Sequence, residues 1–264
     1  MKFLKIVLLT IVLNTYSSPA SAWWGLNGHR IVGEIASYYL TGKTKKAVIE
    51  ILGTESIAMA SNWPDFAKSD STLNYLSPWH YMNIKGGLTL NEFNDFLQHD
   101  TIADAYTKLN FIIGELKNKS LPLDKKQFYL KLLIHIVGDI HQPLHVGRAD
   151  DQGGNKIKVQ WFSESTNLHS VWDEKLIEMQ KLSYTEYTAA INHVSKKQRK
   201  EWQQQPLSEW FYNSYELAEK VYGGITQPEQ KLSYRYNYDY IYLLNQQLLQ
   251  GGIHLAGLLN SIYD

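Results

Sequence analysis

The chain of 264 residues has 0 cysteines, so no disulfide braces it and no thiolate can hold a metal. Any metal it binds is held by nitrogen and oxygen. It also lacks an excess of either charge, with 26 Lys and Arg against 26 Asp and Glu. That excludes the basic footprint expected of a duplex-DNA binder. Past the first residues no apolar run is long enough to cross a bilayer. Linkers, internal repeats and low-complexity blocks are absent too, and about one domain is expected from the length. A domain of that size can bury enough surface to fold without covalent staples.

What is present begins with residues 1–22. Lys2 and Lys5 give a positive start, residues 6–13 an apolar centre, and Ala20-Ser-Ala22 a small-residue cleavage signal. That is the pattern of a secretory signal peptide. Its removal takes away two basic residues and no acid, leaving 24 basic against 26 acidic residues. The mature chain, 23–264, is therefore expected to be exported, periplasmic or secreted, without membrane insertion and as a monomer.

The chemistry centres on Leu133-Ile-His-Ile-Val-Gly-Asp-Ile-His-Gln-Pro-Leu-His145. His135 and Asp139 are four apart and so share one face of a helix. Around them Leu130, Leu132, Leu133, Ile134, Ile136, Val137 and Ile140 are apolar nearly all round, which predicts a helix through the core. A buried imidazole and carboxylate need partners, and a metal ion would serve both. Pro143 stops the helix and lets His145 return towards the same place. One His–Asp pair alone reads as a core histidine with its hydrogen-bond partner. The spacing recurs, however, at His169 and Asp173 in Asn167-Leu-His-Ser-Val-Trp-Asp173, in a chain with only 9 histidines.

Further candidates are scattered along the chain. Trp23-Trp-Gly-Leu-Asn-Gly-His-Arg30 leads into an apolar helical face at Ile31, Val32, Ile35, Ala36, Tyr39 and Leu40. A terminal amine and carbonyl there could chelate a metal with His29. Asp65 follows Pro64 in a turn, where a helix cap is the plainer reading. His80 sits between Trp79 and Tyr81, where packing in an aromatic cluster is the plainer reading. Helices are expected at about 43–52, 90–97, 103–116, 124–140, 170–179, 184–193, 207–221 and 236–249. Gly251-Gly252 is expected to break the last of these before a closing helix at 253–262. Lys156-Ile-Lys-Val-Gln-Trp-Phe162 alternates by twos and predicts a small hairpin. The tyrosine-rich run 234–242 reads as core and groove wall, and His99, His141, His193 and His254 read as structural.

Imidazole with carboxylate and no thiolate suits catalytic zinc, and there are too many ligands for one tetrahedral ion. Two or three ions are expected, with a carboxylate such as Asp139 bridging a pair. Ions about 3.5–4 Å apart can bind both the attacking and the phosphoryl oxygens of an in-line displacement.

Taken in order, Trp24-Gly-x-x-Gly-His29, Trp63-x-Asp65, His80, His135-x-x-x-Asp139-x-x-Gln-Pro-Leu-His145, Gly153-Gly-Asn155 and Asn167-Leu-His169-x-x-x-Asp173 resemble the S1/P1 nuclease family. The resemblance implies a mainly α fold, a single-domain helical bundle of the phospholipase C/P1 nuclease type with a small β-hairpin. It implies an endonuclease and possible 3′-nucleotidase that takes single-stranded DNA, RNA and nucleotides and leaves 5′-phosphates. It implies three Zn²⁺ ions: one on Asp65, His80, His135 and Asp139, one on His145, His169 and Asp173, and one on Trp24, His29 and the shared Asp139. Asp65 and Asp139 are then the catalytic carboxylates, and Tyr81, Asn83, Arg148 and Asn155 the substrate-binding side chains. Three departures stand out. Cleavage after Ala22 leaves Trp23 first rather than Trp24. Tyr81 and Asn83 replace the Phe and Asp that stack and hydrogen-bond a base in better-known members. The disulfides of fungal members are missing. Two alternatives are a zinc-dependent phospholipase C-like enzyme and an exported zinc-binding protein without activity.

Overall fold

The computed structural model describes residues 25–264; the expected signal peptide, Trp23 and the candidate ligand Trp24 lie outside the described residues. The order of elements follows from caps and apolar faces. Helix α1 (Leu26–Tyr38) buries Ile31, Val32, Ile35 and Ala36, the face read from the sequence. Helix α2 (Gly42–Leu52) is capped by Thr41, whose hydroxyl accepts from Thr44 N–H. Two short helices follow, α3 (Ile57–Ala60) and α4 (Trp63–Ala67), the latter with Pro64 in its first turn, where no backbone donor is missed. A 3₁₀ stretch, Ser71–His80, then carries the chain along the surface. Capping boxes open α5 (Leu90–His99), through Thr89 and Glu92, and α6 (Ala105–Lys117), through Asp104 and Thr107.

Helix α7 (Leu123–Asp139) is the axis of the molecule. Leu130, Leu132, Leu133, Ile134, Ile136 and Val137 are all fully buried, each contributing roughly 1.5–3 kcal/mol by leaving water. It packs against α1, α2, α3, α4 and α6. The helix ends at Asp139, and Pro143 opens a 3₁₀ turn, Pro143–Val146, that carries His145.

The expected hairpin forms from β1 (Lys158–Trp161) and β2 (Glu164–Asn167), with Val159 opposite Thr166. Helices α8 (Leu168–Ser170) and α9 (Leu176–Glu178) are joined by a π-helical turn, Val171–Lys175, where one regular helix was expected. Then come α10 (Tyr184–Ile191), α11 (Lys196–Gln204) and α12 (Leu207–Gly223). Helix α11 buries no residue and so has no apolar face to betray it in the sequence. A third strand, β3 (Gln230–Leu232), adds to β1 in parallel and extends the hairpin into a small sheet.

The last helix, α13 (Tyr234–Tyr263), corrects the expected break at Gly251-Gly252 by running straight through it. The glycines serve packing instead. A Cβ on Gly252 would come within 2.5 Å of Ile35 Cβ on α1, and within 3.0 Å of the Val32 carbonyl. The expected reading of the tyrosine run also changes. Tyr236 is buried, but Tyr234, Tyr238 and Tyr242, one turn apart, are mostly exposed. Among the described residues no helix is long and apolar enough to cross a membrane.

Candidate metal centre

Six parts of the chain converge on one buried cluster. The C-terminal end of α7 supplies His135 and Asp139, α1 supplies His29, and α4 supplies Asp65 in its first turn. The 3₁₀ stretch ends at His80, and the turn after α7 supplies His145. Helix α8 and the π turn supply His169 and Asp173. A π turn inserts a residue into the helical ladder and is frequent at functional sites. Here it keeps the His169 and Asp173 side chains 3.1 Å apart, Nε2 to Oδ2.

Three groups each bring their ligand atoms within 4.8 Å of one another: His29, Asp65 and His135; His80, His135 and Asp139; His145, His169 and Asp173. Asp139 joins them. Its Oδ2 lies 2.9 Å from His80 Nδ1 and 3.1 Å from His135 Nε2, and its Oδ1 lies 3.4 Å from both His29 Nε2 and His145 Nδ1. His29 stacks on His135 with ring centroids 3.9 Å apart. That approach needs Gly138, because a Cβ there would stand 2.6 Å from His29 Nδ1.

The outer nitrogens of three imidazoles are held by backbone carbonyls. His135 Nδ1 donates to Ser61 O at 2.7 Å, His145 Nδ1 to His80 O at 2.8 Å, and His169 Nδ1 to Gly153 O at 2.6 Å. Each such bond fixes the tautomer and turns the Nε2 lone pair inward. Inward, those lone pairs meet more acceptors: His169 Nε2 faces Asp173 Oδ2, and His135 Nε2 lies 3.3 Å from Asp65 Oδ1. The buried Asp65 Oδ2, His145 Nε2 and Asp173 Oδ2 have no hydrogen-bond partner among the described residues. Acceptors crowded against acceptors in a buried site repel unless a cation lies between them. Gln142 backs the arrangement from outside, donating to Asp173 Oδ1 at 2.6 Å and accepting from Leu144 N–H.

The titration of the protein alone tells the same story. Burial favours the neutral acid at Asp139, but the His135 and His145 rings outweigh it and hold the carboxyl well below its usual range. Burial likewise opposes ionisation of Asp173, and His169 and His145 reverse this, bringing it to about 2. Burial pushes His80 down to about 4. It also disfavours the charge on His135, yet Asp139 and Asp65 draw a proton there and raise it to about 10. In the protein alone the proton on His135 Nε2 does the work of a cation among these carboxylates; a metal ion would displace it and use the lone pair it covers. The donor set, all imidazole and carboxylate, fits a Lewis-acidic dication of the zinc type.

The candidate substrate residues divide. Tyr81, Asn83 and Asn155 line a pocket together with His80, His145 and His169. The pairing of residues 82–84 with 145–148 brings Tyr81 and Asn83 there: Met82 N–H donates to His145 O and Ile84 N–H to Gly147 O. The Asn155 amide donates to Gln152 O at 2.9 Å. Arg148, the fourth candidate, lies apart from these three. Its guanidinium is engaged by Glu219 through two bonds of 2.9 and 2.8 Å, lies over the Tyr222 ring, and lines the adjoining groove. Lys68 is a pocket residue that the sequence reading passed over. It lies 3.3 Å from Asp65 Oδ1, one helical turn along, and burial lowers its pKa against the pull of Asp65. The signal was the Asp65-x-x-Lys68 spacing.

Over 99% of its length the chain is 30% identical to Endonuclease 2 of Arabidopsis thaliana, of which it covers 98%. It is 30% identical to Endonuclease 4 of the same plant, covering 99% of this chain and 95% of that one. It is 32% identical to Nuclease S1 of Aspergillus oryzae over 59% of this chain and 55% of that protein. Residues 24–264 match the S1/P1 Nuclease family, and the chain belongs to it.

Proposed function

We propose that this chain is a zinc-dependent phosphodiesterase that hydrolyses single-stranded DNA and RNA to 5′-phosphate products, and 3′-nucleotides to nucleosides and inorganic phosphate. The observation that carries the reading is the crowding of inward-turned imidazole lone pairs against Asp65, Asp139 and Asp173. His80, His135, Asp65 and Asp139 are assigned to one zinc, His145, His169 and Asp173 to a second. His29 with Asp139 and the terminal Trp are assigned to a third. Zinc supplies Lewis-acid activation of water and of phosphoryl oxygen at neutral pH.

The reaction adds one water across one P–O3′ bond, so the phosphate stays on the 5′ side and the departing 3′ oxygen takes a proton. Asp65 is the assigned acceptor of the water proton, because its Oδ2 is buried and free of hydrogen bonds among the described residues. Lys68, beside it, places positive charge at the pocket where the phosphate charge builds up. Tyr81, 37% exposed, offers a ring face to an unpaired base, and Asn83 and Asn155 offer amides to its edge or sugar. A stack of this kind is worth about 1–3 kcal/mol and is closed to a base held inside a duplex. Export after removal of residues 1–22 completes the proposal.

The test is a parallel digestion of single-stranded DNA, duplex DNA, RNA, a 3′-nucleotide and phosphatidylcholine, with zinc measured on the same sample. Cleavage of the single strands with 5′-phosphate ends, abolished by a chelator and restored by zinc, is the expected result. Cleavage of the lipid alone, or full zinc loading without any cleavage, overturns the reading.

A further inference from the structure

Two surfaces flank the pocket that holds Tyr81, and they differ in charge and in aromatic content. On one side Asn83 and Ala149 are shared with a broad groove whose carboxylates are Glu92, Asp95, Asp100, Asp150 and Glu219, against Lys85 and Arg148. Arg148 is already neutralised by Glu219. A phosphodiester strand entering this groove meets net negative charge.

The Ser71–His80 stretch, which lines the same pocket with Ser77 and His80, also carries Tyr75 and Trp79, and a run of aromatic rings with a lysine among them continues from these. Tyr75 and Trp79 meet edge to face at 5.7 Å, and Trp79 immediately precedes His80. Lys108 on α6 lies 5.2 Å from the centre of the Trp79 ring and 5.8 Å from that of Phe111. Phe111 in turn meets Tyr129 on α7 at 5.7 Å. Tyr75 is 54% and Phe111 44% exposed, so both rings present faces to solvent. Lys131, at the far end over Trp63, is tied to Glu55 at 2.7 Å, whereas Lys108 makes no ion pair among the described residues. Single exposed apolar residues are ordinary on any surface. A run of linked rings with an uncompensated cation in the middle, starting one residue from a candidate ligand, is not.

We infer that the face formed by Tyr75, Trp79, Lys108, Phe111 and Tyr129 is a track for the single strand as it leaves the pocket, binding bases by stacking on Tyr75 and Phe111 and a phosphate through Lys108. The inference rests on the proposed nuclease reading and deepens it by assigning the strand's path. Stacking accepts any base, and the ammonium supplies the charge attraction that the overall neutral chain does not. The acidic groove, with five carboxylates against Lys85 and Arg148, disfavours the alternative path. The track lies outside the pocket, so it contributes to long strands and not to the smallest substrates.

The experiment uses zinc-loaded protein, a long fluorescent single strand with phosphorothioate linkages for binding, and natural long strands and a dinucleotide for turnover. In Tyr75→Leu/Phe111→Leu, which keeps apolar bulk but removes the ring faces, Kd and KM for the long strand should rise about tenfold, as expected for lost base stacking. Turnover of the dinucleotide should stay unchanged. Lys108→Gln should flatten the dependence of log Kd on log salt by about 0.7, one single-strand phosphate contact, and Lys108→Arg should restore it. Should the double variant fail to fold, the Lys108 pair carries the same test. Long-strand binding and salt slope that do not move, or equal losses on long strand and dinucleotide, overturn the track. A wild type that cleaves no phosphodiester at all instead sinks the nuclease reading, and the binding arm still reports on the track.

Discussion

Two groups of buried histidines lie within a few residues of each other at the end of α7, and they solve the same problem in opposite ways. His141 donates from Nδ1 to Val137 O at 2.7 Å, just as His135, His145 and His169 donate to carbonyls. Its Nε2 then faces His254 Nδ1 at 2.7 Å, a donor meeting an acceptor. His254 stacks on Trp210 at 4.4 Å, and Gln205 Oε1 lies 2.9 Å from its Nε2. With His141 donating to Val137 O and His254 Nδ1 donating to His141, the His254 Nε2 lone pair needs a donor, so the Gln205 amide is assigned the turned-over orientation that puts its NH₂ where Oε1 stands. No carboxylate takes part, and every hydrogen bond closes within the protein. At His135 and His169 the same lock on Nδ1 leaves lone pairs aimed at carboxylates. The difference teaches that burial and tautomer do not mark a metal ligand. What marks it is an inward lone pair opposed by another acceptor.

The most damaging way to break this contrast is to remove the carboxylate common to the groups. Asp139→Asn should lose more than one zinc and lower activity by more than about 100-fold, beyond the upper end of what an outer partner costs. Elemental analysis alongside a single-strand assay checks it, and full zinc in that variant would remove the bridging role. Next comes the outer support. Gln142→Leu takes the hydrogen bond from Asp173 Oδ1 and should weaken zinc binding about 10–100-fold with the fold intact, read by competition with a chromogenic chelator.

The structural pair sharpens the contrast through pH. Burial holds His254 well below the usual 6.5 and takes His141 down to about 4. The unfolded chain therefore binds protons that the folded chain does not, and stability falls as pH drops from about 6.5 towards 4. For His141 that span corresponds to about 3 kcal/mol at most. Melting of the metal-free protein should show this loss, and His254→Gln should shrink it. A loss of equal size in His254→Gln would break the assignment of the pair. The smallest effect is expected at Arg148. Arg148→Ala should cost about 1 kcal/mol or less of stability, the scale of a partly exposed ion pair, and leave KM for single strands unchanged. A large rise in KM would return Arg148 to the substrate-binding set.

Much of the site was legible in the chain because its signals are local. The four-residue spacings of His135 with Asp139 and His169 with Asp173, and Pro143 ending α7, depend on helical geometry alone. The all-round apolar composition of 130–140 announced a core helix, and the core is where the structure has it. Trp24 and the expected signal peptide fall outside the described residues.

Other features were settled by residues far apart in the chain. Arg148 looked available for phosphate until Glu219, 71 positions away, was found to hold it. Gly251-Gly252 looked like a break until α1 was seen to pack against that face of α13. Third strand β3 adds to β1 across about 70 residues, with no local pattern to mark it. Composition and spacing by themselves determined the donor chemistry, the helical class and the central helix, because backbone periodicity and side-chain identity are written in neighbouring residues. Only the tertiary structure decided which nitrogen of each histidine faces inward, which cations are already paired, and which side of the pocket is acidic. Those depend on hydrogen bonds and charges brought together from distant segments, and their energies fall off over a few ångströms in space rather than along the chain.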